Sequence, residues 1–126
     1  MCGGGGGGVV LVGGGGGGAW RWGGGGGGGE TISFDILKNH TSFFVSAPDW
    51  VSEKGMRMLG APLKGDPQVV SGESGAVAMG LVATVMQDPD YQELREALQL
   101  DETSNVLMFS TEGDTDPDNY KKILWR

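Results

Sequence analysis

The sequence predicts an α/β fold that forms only part of a larger sheet domain. Short β-like runs alternate with helical segments and polar loops, which is typical of α/β proteins. Residues 76–86 carry no charge and are small or apolar on every side, so the helix predicted there requires burial all round. Residues 106–109 are fully apolar, as in a strand inside a parallel sheet. Because only two or three strands are predicted, the cover for that helix must come from a larger domain.

The first predicted helix spans residues 50–59. Asp49 follows Pro48 at the position of an N-cap, and Gly60 occupies the C′ position. Gly55 inside this helix costs about 1 kcal/mol relative to alanine. Val69-Val70 then predicts a short strand, and Ser71-Gly72-Glu73-Ser74-Gly75 predicts a tight turn that leads into the apolar helix.

Asp88-Pro89 predicts the start of a further helix over residues 90–100. The spacing of Tyr91, Leu94 and Leu98 makes one apolar stripe along it. The predicted strand at residues 106–109 is followed by a polar loop, and residues 119–124 predict a closing turn of helix.

The first 29 residues form a separate, glycine-dominated segment. The chain has 126 residues and 26 glycines, of which 19 stand in three unbroken runs before Glu30. Ordering so many glycines costs much backbone entropy, so this segment is predicted to be disordered, as a flexible or artefactual sequence. A phosphate-binding loop is the alternative, but no lysine or hydroxyl follows any run as that motif requires. Residues 30–126 are the predicted folded part, an incomplete domain.

The charge of the folded part restricts its partners. Residues 30–126 hold all 16 acidic and eight of the nine basic side chains, a formal charge of −8. Such a surface repels phosphate backbones and anionic lipid, so neither nucleic acid nor membrane is expected as a partner. One cysteine and one histidine exclude a disulfide framework and a Cys/His zinc site. A cytoplasmic location is therefore expected.

Two loops are the candidate ligand-binding elements because each follows a β-like run, where open α/β sheets bind ligands. They are Gly72-Glu73-Ser74-Gly75-Ala76 and Ser110-Thr111-Glu112-Gly113-Asp114. Ser74 in a Gly-x-Ser turn is also a candidate nucleophile of a serine hydrolase. Against this, Ala76 stands where the motif has glycine, and His40 precedes the serine. His40 is interpreted as a surface or capping histidine.

Two further groups of residues have simpler interpretations. Asp114, Asp116 and Asp118 alternate as in a calcium loop, but the glutamate of that motif is missing, which favours helix capping. The methionines on the predicted helices are expected to fill the core, and no metal site is predicted.

Five segments in order carry a resemblance to a known family. They are Asp35-Ile36-Leu37-Lys38-Asn39-His40, Pro48-Asp49-Trp50-Val51-Ser52-Glu53-Lys54-Gly55-Met56-Arg57-Met58-Leu59, Lys64-Gly65-Asp66, Ser71-Gly72-Glu73-Ser74-Gly75-Ala76-Val77 and Ser110-Thr111-Glu112-Gly113-Asp114-Thr115-Asp116-Pro117. Together they resemble the C-terminal quarter of the diaminopropionate ammonia-lyases. That family implies a pyridoxal-phosphate (PLP) enzyme of the tryptophan synthase β-subunit fold (fold type II), which acts as a homodimer. Its reaction converts the amino acid 2,3-diaminopropionate to pyruvate and two ammonia molecules.

The resemblance also implies cofactor-binding residues. Related enzymes carry Glu-x-Ser-Gly-Ala or a variant beside the cofactor ring, which maps onto Glu73, Ser74, Gly75 and Ala76. A hydroxyl after the last strand bonds the pyridine nitrogen, and Ser110 is the closest match, with Thr111 as the alternative. Without the resemblance, Ser110 simply caps a turn and Glu73 pairs with a surface lysine.

The catalytic part of the family pattern has no counterpart in this sequence. None of the lysines stands in the Ser-Phe-Lys type of motif that forms the Schiff base; they are Lys38, Lys54, Lys64, Lys121 and Lys122. The leading hypothesis is therefore a C-terminal fragment of a PLP-dependent ammonia-lyase that is inactive alone. The rival hypothesis is a non-catalytic acidic remnant or binding module.

Overall fold

The described part of the chain is mainly helical, with one small sheet. The computed structural model describes Gly8–Gly13, Asn39 and residues 41–126, with side chains for Asn39 and from Phe43 onward. The elements in order are β1 (Gly8–Gly13), β2 (Thr41–Ala47), α1 (Asp49–Gly60), α2 (Glu73–Gln87), a 3-10 turn (Pro89–Tyr91), α3 (Gln92–Ala97) and α4 (Pro117–Leu124).

β1 and β2 form a parallel two-stranded sheet. Val9 pairs with Phe43, and the register continues to Gly13 beside Ala47. The prediction that the glycine-rich segment is disordered is therefore not confirmed for Gly8–Gly13, since ladder hydrogen bonds to β2 order this stretch. The remainder of that segment lies outside the described residues.

The two strands predicted at Val69-Val70 and at residues 106–109 are wrong. Neither stretch forms a strand in the described part of the chain. The Gly72 amide donates to the Glu112 carbonyl at 2.8 Å just beyond these stretches, and no ladder continues from that bond. A β-strand forms only where its backbone N–H and C=O groups hydrogen-bond to a neighbouring strand. An apolar composition does not by itself provide that neighbouring strand. Leu107 and Phe109 consequently remain 80% and 77% exposed.

Helices α1 and α2 cross with their backbones in contact. A methyl group on Gly55 would overlap the Ala76 carbonyl oxygen, and one on Gly80 would overlap that of Val51. Gly55 therefore permits this crossing, which offsets its poor helix propensity.

Helix α2 confirms the helix predicted at residues 76–86, but its burial is uneven. Eight of its residues are buried. Four others, Ala78, Met79, Val82 and Met86, are only half-buried. Within the described residues, the expected cover on every side is thus incomplete.

The helix ends differ slightly from the predicted ones. Pro48 is the N-cap of α1, so Asp49 is the first helical residue and not the cap. Gly60 is the last residue of that helix, and the Ala61 amide donates to the Arg57 carbonyl beyond it. Such one-residue shifts are common at helix termini.

The helix predicted at residues 90–100 is shorter and less regular than expected. Asp88 accepts from the Asp90 amide at 2.9 Å, which confirms its capping role, but the first turn is a 3-10 helix. Helix α3 ends at Ala97 because Gln99 adopts a left-handed conformation with φ 55°.

Two apolar clusters hold the described helices together. One contains Ala47, Val51, Val77, Leu81 and Val85, with Leu94 and Leu100 packed against it. The other contains Met56, Ala76 and Ile123, with Tyr120 and Leu124 beside it. The second cluster confirms the expected core role of Met56. Among the described residues, no helix is both long and apolar enough to span a membrane.

Candidate functional site

The structure brings the two predicted ligand-binding loops together at the N-terminus of α2. The Gly72 amide donates to the Glu112 carbonyl at 2.8 Å, and the hydroxyls of Ser71 and Ser110 lie 2.8 Å apart. These loops are separated by about 40 positions along the chain, so tertiary folding alone creates the contact. We refer to Ser71 and Ser110 as the serine pair.

Ser71 is the member of this site that sequence reasoning missed. Its side chain is fully buried, and its hydroxyl also lies 3.2 Å from the Gly72 carbonyl oxygen. The available signal was its position directly after the β-like Val69-Val70. The hydroxyl of Ser110, which is exposed, has a long second contact of 3.5 Å to the Glu112 carbonyl oxygen.

Gly75 completes the floor of the site because it has no side chain. A Cβ at this position would lie 2.6 Å from Ser71 Oγ and 2.8 Å from Ser110 Oγ. Both distances are shorter than real Cβ contacts, so any side chain here displaces the serine pair.

Glu73 and Ser74 lie exposed in the first turn of α2. Within the part of the chain that the structure describes, Glu73 forms no ion pair, so its pairing with a surface lysine is not observed there. A carboxylate in this position interacts favourably with the positive end of the helix dipole. Both side chains are therefore accessible to solvent.

The other acidic residues of the second loop stabilise the loop itself. Glu112 Oε1 accepts from the Thr115 hydroxyl at 2.7 Å. Asp116 accepts from the Asn119 amide at 3.2 Å, which confirms the predicted capping of α4. Among the described residues, no group of three or more His, Cys, Asp or Glu side chains is placed to hold a metal ion. Thr111, the alternative to Ser110, is exposed.

None of the described lysines is hydrogen-bonded to the serine pair. Lys54 donates to Gln87 at 3.0 Å and approaches Thr84 at 3.4 Å, at the opposite end of α2. At 1.5 Å rise per residue, Thr84 is roughly 13 Å along the helix from Gly75. Lys121 and Lys122 are exposed on α4, whereas Lys38 and His40 lie outside the described residues.

This chain is similar to diaminopropionate ammonia-lyases by sequence and by structure. Specifically, it is 48% identical over 95 residues to the diaminopropionate ammonia-lyase of Salmonella typhimurium strain LT2. It is 45% identical over 94 residues to that of Escherichia coli strain K12. No protein-family model matches the sequence.

Solved structures of the Escherichia coli diaminopropionate ammonia-lyase match the fold. The apo form superposes with a TM-score of 0.70 at 44% identity over 75% of this chain. The complex with an aminoacrylate-PLP azomethine reaction intermediate superposes with a TM-score of 0.71.

These matches define the relationship and also its extent. Three quarters of this chain is homologous to diaminopropionate ammonia-lyase. The chain spans about a quarter of the length of the curated relatives it matches, 24% in each of the two cases above.

Proposed function

We propose that residues 30–126 form the cofactor-ring side of a PLP-dependent lyase of fold type II that acts on 2,3-diaminopropionate. The observation that carries this proposal is the serine pair over Gly75 at the start of α2. It occurs in a chain whose 48% identical relative is a diaminopropionate ammonia-lyase, and a matching solved structure contains PLP.

The residues at the serine pair fit a flat heteroaromatic ring with a nitrogen acceptor. Ser110 is exposed and carries a hydroxyl that has only one short hydrogen bond in the described structure, to Ser71. Gly75 leaves room for this hydroxyl, since a Cβ there would lie 2.8 Å from Ser110 Oγ. When bound, PLP supplies an electron sink for the carbanion formed at the substrate Cα.

The proposed role of Ser110 is to hold the pyridine nitrogen, with Thr111 as the alternative. A hydroxyl donates one hydrogen bond and carries no charge, so it does not keep that nitrogen protonated as a carboxylate would. Less carbanion charge is then stabilised on the ring, which favours loss of the β-amino group. Glu73 and Ser74 border the same space from the first turn of α2.

The Schiff-base lysine is not among the proposed contributions of this chain. Lys54 donates to Gln87 at the far end of α2, and the hydrogen bonds of Ser71 and Ser110 in the described structure involve no lysine. We propose that the chain alone does not catalyse elimination, and that homodimerisation and a cytoplasmic location apply to the complete enzyme.

The test exchanges the matching quarter of the Escherichia coli enzyme for residues 30–126 of this chain. In this chimeric enzyme, Gly75→Ala is expected to lower both retained PLP absorbance after dialysis and pyruvate release from 2,3-diaminopropionate. Gly113→Ala is the matched control, because a Cβ there meets nothing closer than the Val70 carbonyl oxygen at 3.9 Å. A Gly75→Ala chimera with undiminished PLP retention and pyruvate release would contradict the proposal.

A further inference from the structure

We propose that two exposed apolar runs, residues 69–70 and residues 106–109, form a docking face that binds the rest of a diaminopropionate ammonia-lyase without a covalent link. This inference rests on the proposed function, because the partner is the part of the lyase that this chain does not match. The chain spans 24% of the curated relatives, so about three quarters of their length remains. We call that remainder the lyase body.

The docking face exposes several large apolar side chains. Val69 and Val70 are exposed in the first run, and Val106, Leu107 and Phe109 are exposed in the second. Single exposed apolar side chains are normal on a protein surface. Here five of them lie in two short runs that lead to the same contact, which is typical of a surface that binds another protein.

Both runs lead directly into the candidate cofactor site. Residues 69–70 immediately precede Ser71, and residues 106–109 immediately precede Ser110. The hydroxyls of these two serines are 2.8 Å apart, and a backbone hydrogen bond joins the two segments again just after them. The two segments therefore run in the same direction where they meet, and the docking face adjoins the serine pair.

The backbone of the two runs also favours an extended partner. Short, wholly apolar runs are typical of strands inside a parallel sheet, where both faces are covered. Within the described residues neither run belongs to a strand, so neither takes part in a ladder there. An extended segment of the lyase body would supply the ladder hydrogen bonds and the apolar cover together.

The lyase body fits this face better than a second copy of the chain does. The hydrogen bonds of the serine pair in the described structure involve no lysine. By resemblance to the family, the lysine that forms the Schiff base belongs to the lyase body. Docking therefore brings that lysine and Ser110 to one PLP molecule, whereas a second copy adds no such lysine. A ligand that contacts both pieces strengthens their association, so PLP should tighten the docking.

The experiment uses the chimera of the Escherichia coli lyase and residues 30–126, with a protease site at the junction. The PLP-loaded chimera is cut after purification, so the two pieces fold together before the link is removed. They are expected to stay together in size-exclusion chromatography, and amides 106–109 should exchange as slowly as in the uncut chimera. Pieces that separate on cutting, fast exchange at these amides, or a chimera that does not fold would overturn the inference.

Two substitutions form a matched pair, because Leu107 and Trp125 are 80% and 81% exposed. Leu107→Glu places a charge in the docking face and should raise the dissociation constant of the cut pieces about 10- to 100-fold. Trp125→Glu, at the end of α4, should change it by less than about 2-fold. Equal effects of the two variants would show that the face is elsewhere. Leu107→Ala, which adds no charge, should weaken the association less and provides the test if Leu107→Glu does not fold.

Removal of PLP distinguishes this inference from the function on which it rests. Dialysis of PLP from the cut chimera is expected to raise the dissociation constant of the pieces about 10-fold. If the pieces stay together through Leu107 but neither respond to PLP nor release pyruvate, the docking face stands and the proposed function fails. If the uncut chimera releases pyruvate but the cut pieces separate, or residues 30–126 associate only with their own copies, the proposed function stands and the docking inference fails.

Discussion

Gly55 of α1 and Gly80 of α2 meet where the two helices cross. A Cβ built on Gly80 would lie 3.1 Å from the Gly55 amide nitrogen, and one on Gly55 would lie 2.8 Å from the Gly80 amide nitrogen. The same crossing places the start of α2, which carries the candidate site, against α1. A methyl group on Gly55 would also overlap the Ala76 carbonyl oxygen in the first turns of α2.

Replacing Gly55 by alanine should therefore destabilise the protein. Helix propensity improves by about 1 kcal/mol, but forcing a methyl between two backbones typically costs about 1–3 kcal/mol or more. We expect a lower thermal unfolding midpoint in the chimeric enzyme, whereas Gly113→Ala should leave it unchanged. A Gly55→Ala chimera as stable as its parent would mean that the crossing is looser than observed.

Charge at the ring contact should control the rate of elimination. In the chimeric enzyme, Ser110→Asp is expected to lower kcat more than Ser110→Thr, because a carboxylate keeps the pyridine nitrogen protonated and Thr retains the hydroxyl. Steady-state pyruvate release measures both. Equal rates for the two variants would indicate that a residue other than Ser110 contacts the ring nitrogen. Thr111 would then be the next residue to replace.

The 126-residue chain by itself should not eliminate ammonia from 2,3-diaminopropionate. Covalent capture of the cofactor aldehyde requires a positioned lysine, and Lys54 is bonded to Gln87 at the far end of α2. The chain is incubated with PLP, dialysed and assayed for pyruvate against free cofactor. Retained absorbance together with pyruvate above the free-cofactor level would contradict this expectation.

Exposed apolar residues should make the isolated chain associate. Leu107 and Phe109 are 80% and 77% exposed, and Val70 is 42% exposed. Exposed apolar side chains favour contact with other molecules. We expect oligomers by light scattering, and fewer of them in the double variant Leu107→Glu, Phe109→Glu. A monodisperse parent chain with slowly exchanging amides in α2 would instead indicate a self-sufficient domain.

Tyr120 should titrate at a higher pH than a free tyrosine. Burial, and secondarily the negative charge of Asp114, raise its pKa above the ordinary value of 10.0. The stability that Tyr120 contributes in its neutral form is thus fully present below pH 10 and is lost as the pH rises through the folded-state pKa. The difference in phenolate absorbance between the parent and Tyr120→Phe reports this titration, and Asp114→Asn should lower its midpoint. A midpoint at or below the ordinary value would contradict the burial.

The buried Tyr120 hydroxyl has no hydrogen-bond partner in the described structure. It packs on Gly60, where a Cβ would lie 2.6 Å away. Because an unpaired buried hydroxyl costs free energy, Tyr120→Phe should not reduce the free energy of unfolding at neutral pH. A clear loss of stability in that variant would indicate a partner for the hydroxyl.

The sequence by itself determined the features that depend on neighbours along the chain. Pro48 and Asp49 located the start of α1 to within one residue. The uncharged segment at residues 76–86 located α2. Asp88 and Asp116 cap the segments predicted for them, because capping joins residues only two or three positions apart. The order of five motifs also identified the relatives that the comparisons confirm.

Only the tertiary structure decided the features that depend on distant partners. Residues 106–109 read as a strand, yet they lack the ladder that makes one, whereas Gly8–Gly13 gains it from β2. From sequence, Gly55 only lowers the helix propensity of α1. The structure shows that it allows the backbone of α2 to lie against α1. Ser71 directly follows the β-like Val69-Val70, but its contact with Ser110 exists only because folding places the two hydroxyls 2.8 Å apart. Sequence patterns report local propensity, but ladder pairing, helix contact and side-chain convergence depend on which distant groups meet.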